Sequence, residues 1–115
     1  KAVFDTTFAR LIGSDPQDFS ALVAERAGKL VGLVHFLFHR HCRRIENVCY
    51  LQDLYADPSV RGQGVGRRLV EAVYDAADTA GSPSVYWLTQ EFNAEARKLY
   101  DRVGTLSQFI RYDRG

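Results

Sequence analysis

Apolar and polar positions alternate from Ala21 to Glu25 and again from Leu30 to His39, with the dipeptide Ala27-Gly28 between the two runs. A period of two is that of a half-buried strand. Glycine supplies the positive φ of a tight hairpin, so the runs are predicted as antiparallel neighbours with Leu30, Val34, Phe36 and Phe38 on one face. The polar run His39 to Asn47 is the next turn. Val48 to Ala56 follows as a strand, stopped at Asp57-Pro58 because proline has no N–H to give the ladder. From Arg67 to Ala80 the period lengthens: Leu69, Val70, Val73, Tyr74 and Ala77 fall on one helical face, and Gly81 with Ser82-Pro83 closes the element. Ser84 to Thr89 is a nearly unbroken apolar run, as expected of a strand covered on both faces. Asn93 can cap a second helix carrying Ala94, Ala96, Leu99 and Tyr100 and ending before Gly104, after which Gln108 to Tyr112 reads as a last strand. Phe4 to Ile12 is a short amphipathic piece, and Asp15-Pro16 begins a loop. This order predicts a mixed sheet with helices packed on it, in which the Val48 and Ser84 strands are parallel neighbours joined by a helical crossover.

The pattern isolates one segment with its own chemistry. Arg61-Gly62-Gln63-Gly64-Val65-Gly66 sets three glycines between a strand and a helix. Glycines let an anion approach the backbone, and the helix that follows directs unpaired N–H groups and its positive dipole end at the same spot. Arg61, Arg67 and Arg68 add positive charge. The segment therefore suits a phosphorylated small molecule. It is not a P-loop, since no Lys-Ser or Lys-Thr follows the glycines to meet phosphate and magnesium.

Composition narrows the partners. The 115 residues make one domain, 1–115, and the formal net charge of +1 offers no basic excess for nucleic acid. No apolar stretch approaches the ~20 residues that span a bilayer, and no signal-peptide pattern opens the chain, so the expectation is a cytoplasmic protein without a membrane partner. The first residue is Lys, and the chain is expected to lack one or more N-terminal elements. Cys42 and Cys49 lie near His35, His39 and His41, but the spacings match no zinc pattern. Two free thiols and no metal are expected.

With this layout the chain resembles the GNAT superfamily of acyl-CoA N-acyltransferases. The signature is Arg61, Gly64 and Gly66, following the strand end Leu54-Tyr55-Ala56-Asp57-Pro58 and followed by Asn93, Ala96, Leu99, Tyr100 and Gly104. The resemblance covers about Leu22 to Tyr112 and is nearest to the diamine acetyltransferase-like bacterial subgroup. It implies an α/β (α+β) fold with a mixed, mostly antiparallel twisted sheet flanked by helices, the N-terminal strand and helix elements being absent from this chain. It implies acetyl-CoA as cosubstrate. The pyrophosphate would meet the backbone from Gly62 to Arg67, including Gln63 and Val65, beside Arg61. The pantetheine arm would pair with main-chain atoms of Leu54, Tyr55 and Ala56 as an added strand. Asn93 and Ala96 would border that arm, although Asn93 also suits a helix N-cap.

The resemblance further implies that Tyr100 protonates the departing thiolate, a transfer that costs about 2 kcal/mol between a thiol of pKa ≈ 8.5 and a phenol of ≈ 10. A core tyrosine is the alternative. Backbone N–H near Leu54 would steady the oxyanion. In the subgroup a Glu-Asp pair occupies the place of Gln52-Asp53, and Gln52 cannot accept a proton, so Asp53 or Glu91 would have to act as base. Gln52, Asp53 and Glu91 are thus the candidate acceptor-side residues, with solvated carboxylates as the alternative. The implied activity is acetyl transfer from acetyl-CoA to the primary amine of a small molecule by direct attack. A non-catalytic acyl-CoA sensor and a protein N-terminal or lysine acetyltransferase stay open, as does a homodimer.

Overall fold

The computed structural model describes residues 5–8, 20–60 and 62–114, the first of these segments by its backbone alone. Five strands form one sheet in chain order: β1 (Asp5–Phe8), β2 (Ser20–Arg26), β3 (Lys29–His39), β4 (Val48–Ala56) and β5 (Val85–Tyr86). The first four pair antiparallel, and β4 pairs parallel with β5. The crossover between β4 and β5 is a 3-10 turn (Pro58–Val60) followed by helix α1 (Val65–Thr79), while helix α2 (Ala94–Val103) follows β5. The mixed, mostly antiparallel sheet and the helical crossover are those expected. β1 is an N-terminal element that the sequence reading did not assign, and the remainder of Phe4 to Ile12, with Asp15-Pro16, lies outside the described residues.

The turn between β2 and β3 has two residues, Ala27 at φ 52° and Gly28 at φ 79°. Both signs are positive, the condition under which a two-residue turn matches the right-handed twist of the strands it joins. The core lies between the sheet and α1. Leu22 and Ala24 of β2, Val34 and Phe36 of β3, and Cys49 and Leu51 of β4 are buried against Val65, Leu69, Val70, Val73 and Ala77. Gly32 is part of this contact. A Cβ on it would stand 2.9 Å from both Leu69 Cδ1 and Val65 Cγ1, so its smallness lets α1 press its first turns onto β3. Leu30, expected on the core face, is instead 64% exposed: Ala24 pairs with Gly32 and Glu25 with Leu30, so Val31 is an extra residue that joins the core and Leu30 turns to the face of Glu25.

An irregularity also interrupts β4. His35 pairs with Asp53 and Phe36 with Leu51, so Gln52 is an extra residue facing no partner, a β-bulge. A bulge reverses the alternation beyond it. Cys49 and Leu51 point at α1 before it, Leu54 and Ala56 after it, and Asp53 and Tyr55 turn to the opposite face of the sheet.

Two expected strands are corrected. The segment Ser84 to Thr89 contributes only Val85–Tyr86, and it is not covered on both faces, since Tyr86 is 42% and Leu88 51% exposed. Gln108 to Tyr112 forms no strand, and Phe109, Ile110 and Tyr112 stand in solvent. A strand needs an edge to pair with, and a two-residue β5 offers almost none. The first helix begins at Val65, two residues before the expected Arg67, and it ends as expected: Ser82 N–H donates to Ala77 O and Gly81 N–H to Asp78 O, a Schellman closure with Gly81 at φ 73°.

Candidate active site

β5 pairs only with Cys49 and Tyr50, whereas β4 runs on to Ala56. Among the described residues, the β5-side edge of β4 from Leu51 to Ala56 therefore has no strand beside it. The edge opens toward the C-terminal ends of the two parallel strands, where ligands bind in open α/β sheets. Leu54, Tyr55 and Ala56 lie along it, and their partners on the other side are Val34, Leu33 and Gly32.

Beyond that edge the chain enters the glycine turn. Gly62 has φ 80° and Gly64 φ 82°, and a Cβ on either would meet nothing within 4 Å. Their identity is thus set by backbone conformation, with open space above them. Gly64 is the N-cap of α1, and Arg68 N–H makes the first intrahelical bond to its carbonyl. No acceptor among the described residues takes the N–H groups of Gly64, Val65, Gly66 or Arg67, and the first turn of α1 carries no acidic residue. These donors and the helix dipole form an anion cradle.

Four members of the expected phosphate set need comment. Gln63 N–H is already donated to Val60 O at 3.2 Å, so Gln63 does not offer its backbone to a ligand. Its side chain braces the turn, Oε1 accepting from Arg26 Nη1 and Nε2 reaching Ser59 O at 3.4 Å. Gly66 lies under α2, where a Cβ would approach Leu99 Cδ2 to 3.0 Å, so it serves helix packing as well. Arg67 pairs with Glu71 at 3.2 Å, one turn along the helix, and Arg61 lies outside the described residues. The sequence reading missed Arg26: it is 37 positions from Gln63, and only the hairpin brings it to the turn.

α2 reaches the same end of the sheet. Asn93 caps it, Oδ1 accepting Ala96 N–H at 3.5 Å, and Glu91 holds Arg97 by its backbone carbonyl at 2.7 Å. Tyr100 is half-buried, its ring 5.5 Å from that of Trp87, and burial pushes its phenol above the ordinary value. Trp87 also stacks loosely on Tyr74, whose hydroxyl donates to Val103 O at 2.6 Å, so this aromatic group locks α2 to α1.

The opposite face of the sheet carries the polar residues. Asp53 and His35 face each other across β4 and β3, Oδ2 to Nδ1 3.5 Å. Tyr50 and Tyr86 stack at 4.9 Å, and His39 Nε2 meets Tyr86 Oη at 2.7 Å. Gln52 is exposed at the bulge, and the structure forms no hydrogen bond or ion pair between Glu91 and Gln52 or Asp53 among the described residues. A cavity of ≈ 880 Å³ lies elsewhere, lined by His39, His41, Arg44, Ser84, Tyr86 and Phe109 at the N-terminal ends of β4 and β5. The open edge and the cradle, at the other pole, are the better match to a phosphorylated ligand. Cys42 is exposed and Cys49 buried, both free, and no group of metal-ligating side chains occurs among the described residues. No helix among them is long and apolar enough to cross a membrane.

An open strand edge that runs into a glycine turn and a helix N-terminus suits an anionic ligand with an extended polar arm. Residues 2–105 match the Acetyltransferase (GNAT) family, and the chain belongs to that family. It is similar to a D-amino-acid N-acetyltransferase of Saccharomyces cerevisiae, 39% identical over 97% of this chain and 70% of that protein. A thialysine N-epsilon-acetyltransferase of Mus musculus is 34% identical over 70% of this chain and 47% of that protein. Among solved structures, a ribosomal-protein-alanine N-acetyltransferase of Brucella melitensis superposes with a TM-score of 0.77 at 22% identity, covering 89% of this chain and 74% of that one. An aminoglycoside N-acetyltransferase in complex with CoA superposes with a TM-score of 0.75 at 19% identity, covering 84% and 66%. N-acetyl transfer is the reaction in all four names.

Proposed function

We propose that this chain transfers the acetyl group of acetyl-CoA to the primary amine of a small, amino-acid-like molecule by direct attack on the thioester. The observation that carries the reading is the unpaired edge of β4 leading into the cradle at the start of α1. The names of the yeast and mouse relatives support an amino-acid acceptor.

Acetyl-CoA would bring the activated acetyl group. Its pyrophosphate would be held by the N–H groups of Gly64, Val65, Gly66 and Arg67, with Gly62 leaving the approach open and Arg61 adding charge. Leu54, Tyr55 and Ala56 would hold the pantetheine arm by main-chain bonds, bordered by Asn93 and Ala96. Leu54 N–H would steady the carbonyl oxygen as it gains charge. Tyr100 serves as the acid. The C–N bond forms as the C–S bond breaks: the ammonium gives up two protons to water, Tyr100 delivers its phenolic proton to sulfur and regains one from water, and one proton is released overall. A phenol kept protonated by burial is a donor throughout the neutral range. Asp53 would receive the acceptor's ammonium, beside Gln52 in β4, and pass its proton to water.

The test is acetyl-CoA binding by calorimetry, then CoA release with D-alanine, lysine, thialysine and spermidine. Amine-dependent release that falls about 100-fold in Tyr100→Phe is expected. Binding without release from any amine would favour a sensor, and absence of binding would sink the cosubstrate assignment.

A further inference from the structure

We infer that His35 is a positioning residue of the acceptor site, acting through Asp53; the inference rests on the transferase reading above. Nothing in the spacing of these residues along the chain links them, since they lie on different strands and meet only through the register of β3 and β4.

Four observations converge. The first is the direct cross-strand pairing of His35 with Asp53, the last register pair before the bulge when β4 is followed back from the cradle. Secondly, the bulge turns Asp53 out of the α1 face onto the side where His35 already points, so one extra residue at Gln52 creates the pair. Without the bulge, strict alternation would aim Asp53 the other way. Thirdly, Oδ2 of Asp53 lies 3.5 Å from Nδ1 of His35, while the carboxylate side chain stays 68% exposed and the imidazole only 27%. The histidine is the fixed member and the carboxylate the accessible one, as a site that presents a carboxylate to a ligand requires. Fourthly, β5 leaves β4 at Tyr50, so the pair stands beside the point where the free edge begins.

The helices occupy one face of the sheet, with Tyr100 on α2, and the His35–Asp53 pair occupies the other. The acid and the ammonium-receiving carboxylate thus approach the edge from opposite sides, which suits a reaction in which a bond forms on one side of a carbonyl carbon as another breaks. On the pair's own side Tyr50 and Tyr86 stack into a flat wall. An exposed carboxylate left alone rotates among several rotamers, and a neighbouring ring nitrogen selects one of them.

The test uses the whole chain and compares His35→Phe, His35→Gln, Asp53→Asn and the double variant His35→Phe/Asp53→Asn. Acetyl-CoA affinity is read by calorimetry, and kcat and KM with the most active amine among D-alanine, lysine, thialysine and spermidine. His35→Phe is expected to keep acetyl-CoA affinity within about twofold while kcat/KM for the amine falls at least about tenfold. His35→Gln, whose amide N–H can still meet the carboxylate, is expected to recover most of that loss. The double variant should be no worse than Asp53→Asn alone, since His35 acts only through Asp53. Wild-type turnover with an undiminished His35→Phe, or losses that multiply in the double variant, would overturn this inference and leave the transferase reading standing. A wild-type chain that binds acetyl-CoA and acetylates none of these amines would overturn both.

Discussion

Gly32 and Leu69 are in such close contact that a β-carbon on the glycine would lie 2.9 Å from Leu69 Cδ1. Real β-carbons do not approach so near, and the other neighbours, Val65 Cγ1 at 2.9 Å and the Tyr55 carbonyl at 3.2 Å, belong to a buried β-branched side chain and to backbone. Gly32→Ala should therefore push the start of α1 off the sheet, costing about 2 kcal/mol. The same displacement moves the cradle. Urea unfolding should show the lower midpoint, and calorimetry a weaker acetyl-CoA affinity; a variant as stable as the parent would mean that α1 is not wedged on β3.

Ala27 occupies the hairpin turn at φ 52° with a β-carbon that this region disfavours. Asparagine tolerates it. Ala27→Asn is expected to raise stability by about 1 kcal/mol, or several degrees of melting temperature, with no change in catalysis. Ala27→Val should lower both midpoint and melting temperature.

Gly64 and Gly66 should separate conformation from packing. Gly64→Ala places a side chain at φ 82° and costs about 1 kcal/mol of stability, and its new methyl enters the open space where the pyrophosphate is proposed to lie. Acetyl-CoA affinity should fall with it. At Gly66 the methyl instead meets Leu99 Cδ2 at 3.0 Å, the far end of a flexible side chain, and alanine is the better helix former. Stability should change by less than about 0.5 kcal/mol. Equal loss of affinity in both variants would argue against this division of roles.

Cys49 is wholly buried, and burial pushes its thiol up from 9.0 to about 12. The folded state then holds a proton that the unfolded chain releases above its ordinary value. Stability contributed by this group is complete below pH 9 and is lost as pH rises toward 12, at up to about 1.4 kcal/mol per pH unit. Tyr74, Tyr86 and Tyr100, also raised by burial, act in the same direction. Cys49→Ser should not remove the decline entirely, and the slope of unfolding free energy against pH measures the share of the thiol. Thiol labelling of the native chain should find Cys42 quickly and Cys49 only after denaturant is added.

Much of this molecule is written locally. The hairpin at Ala27-Gly28, the helix that Gly81 closes and the Asn93 cap depend on residues within a few positions of one another, and each forms where the pattern places it. The glycine turn was legible for the same reason, and the helix behind it was placed to within two residues. The bulge in β4 was not legible. Gln52 and Asp53 stood out as polar residues in a strand, but no local signal marks Gln52 as a bulge, and Arg26 and His35 carry no pattern that ties them to Gln63 and Asp53.

The sequence by itself determined the β2–β3 hairpin, the close of α1 at Gly81, the cap of α2 and the glycine turn, because backbone conformation and capping are settled between near neighbours. Only the tertiary structure decided how short β5 is, that Gln108 to Tyr112 finds no partner, and which face of β4 Asp53 takes. Hydrogen-bond register joins residues distant in the chain, and one unpaired residue in that register reverses every side chain beyond it.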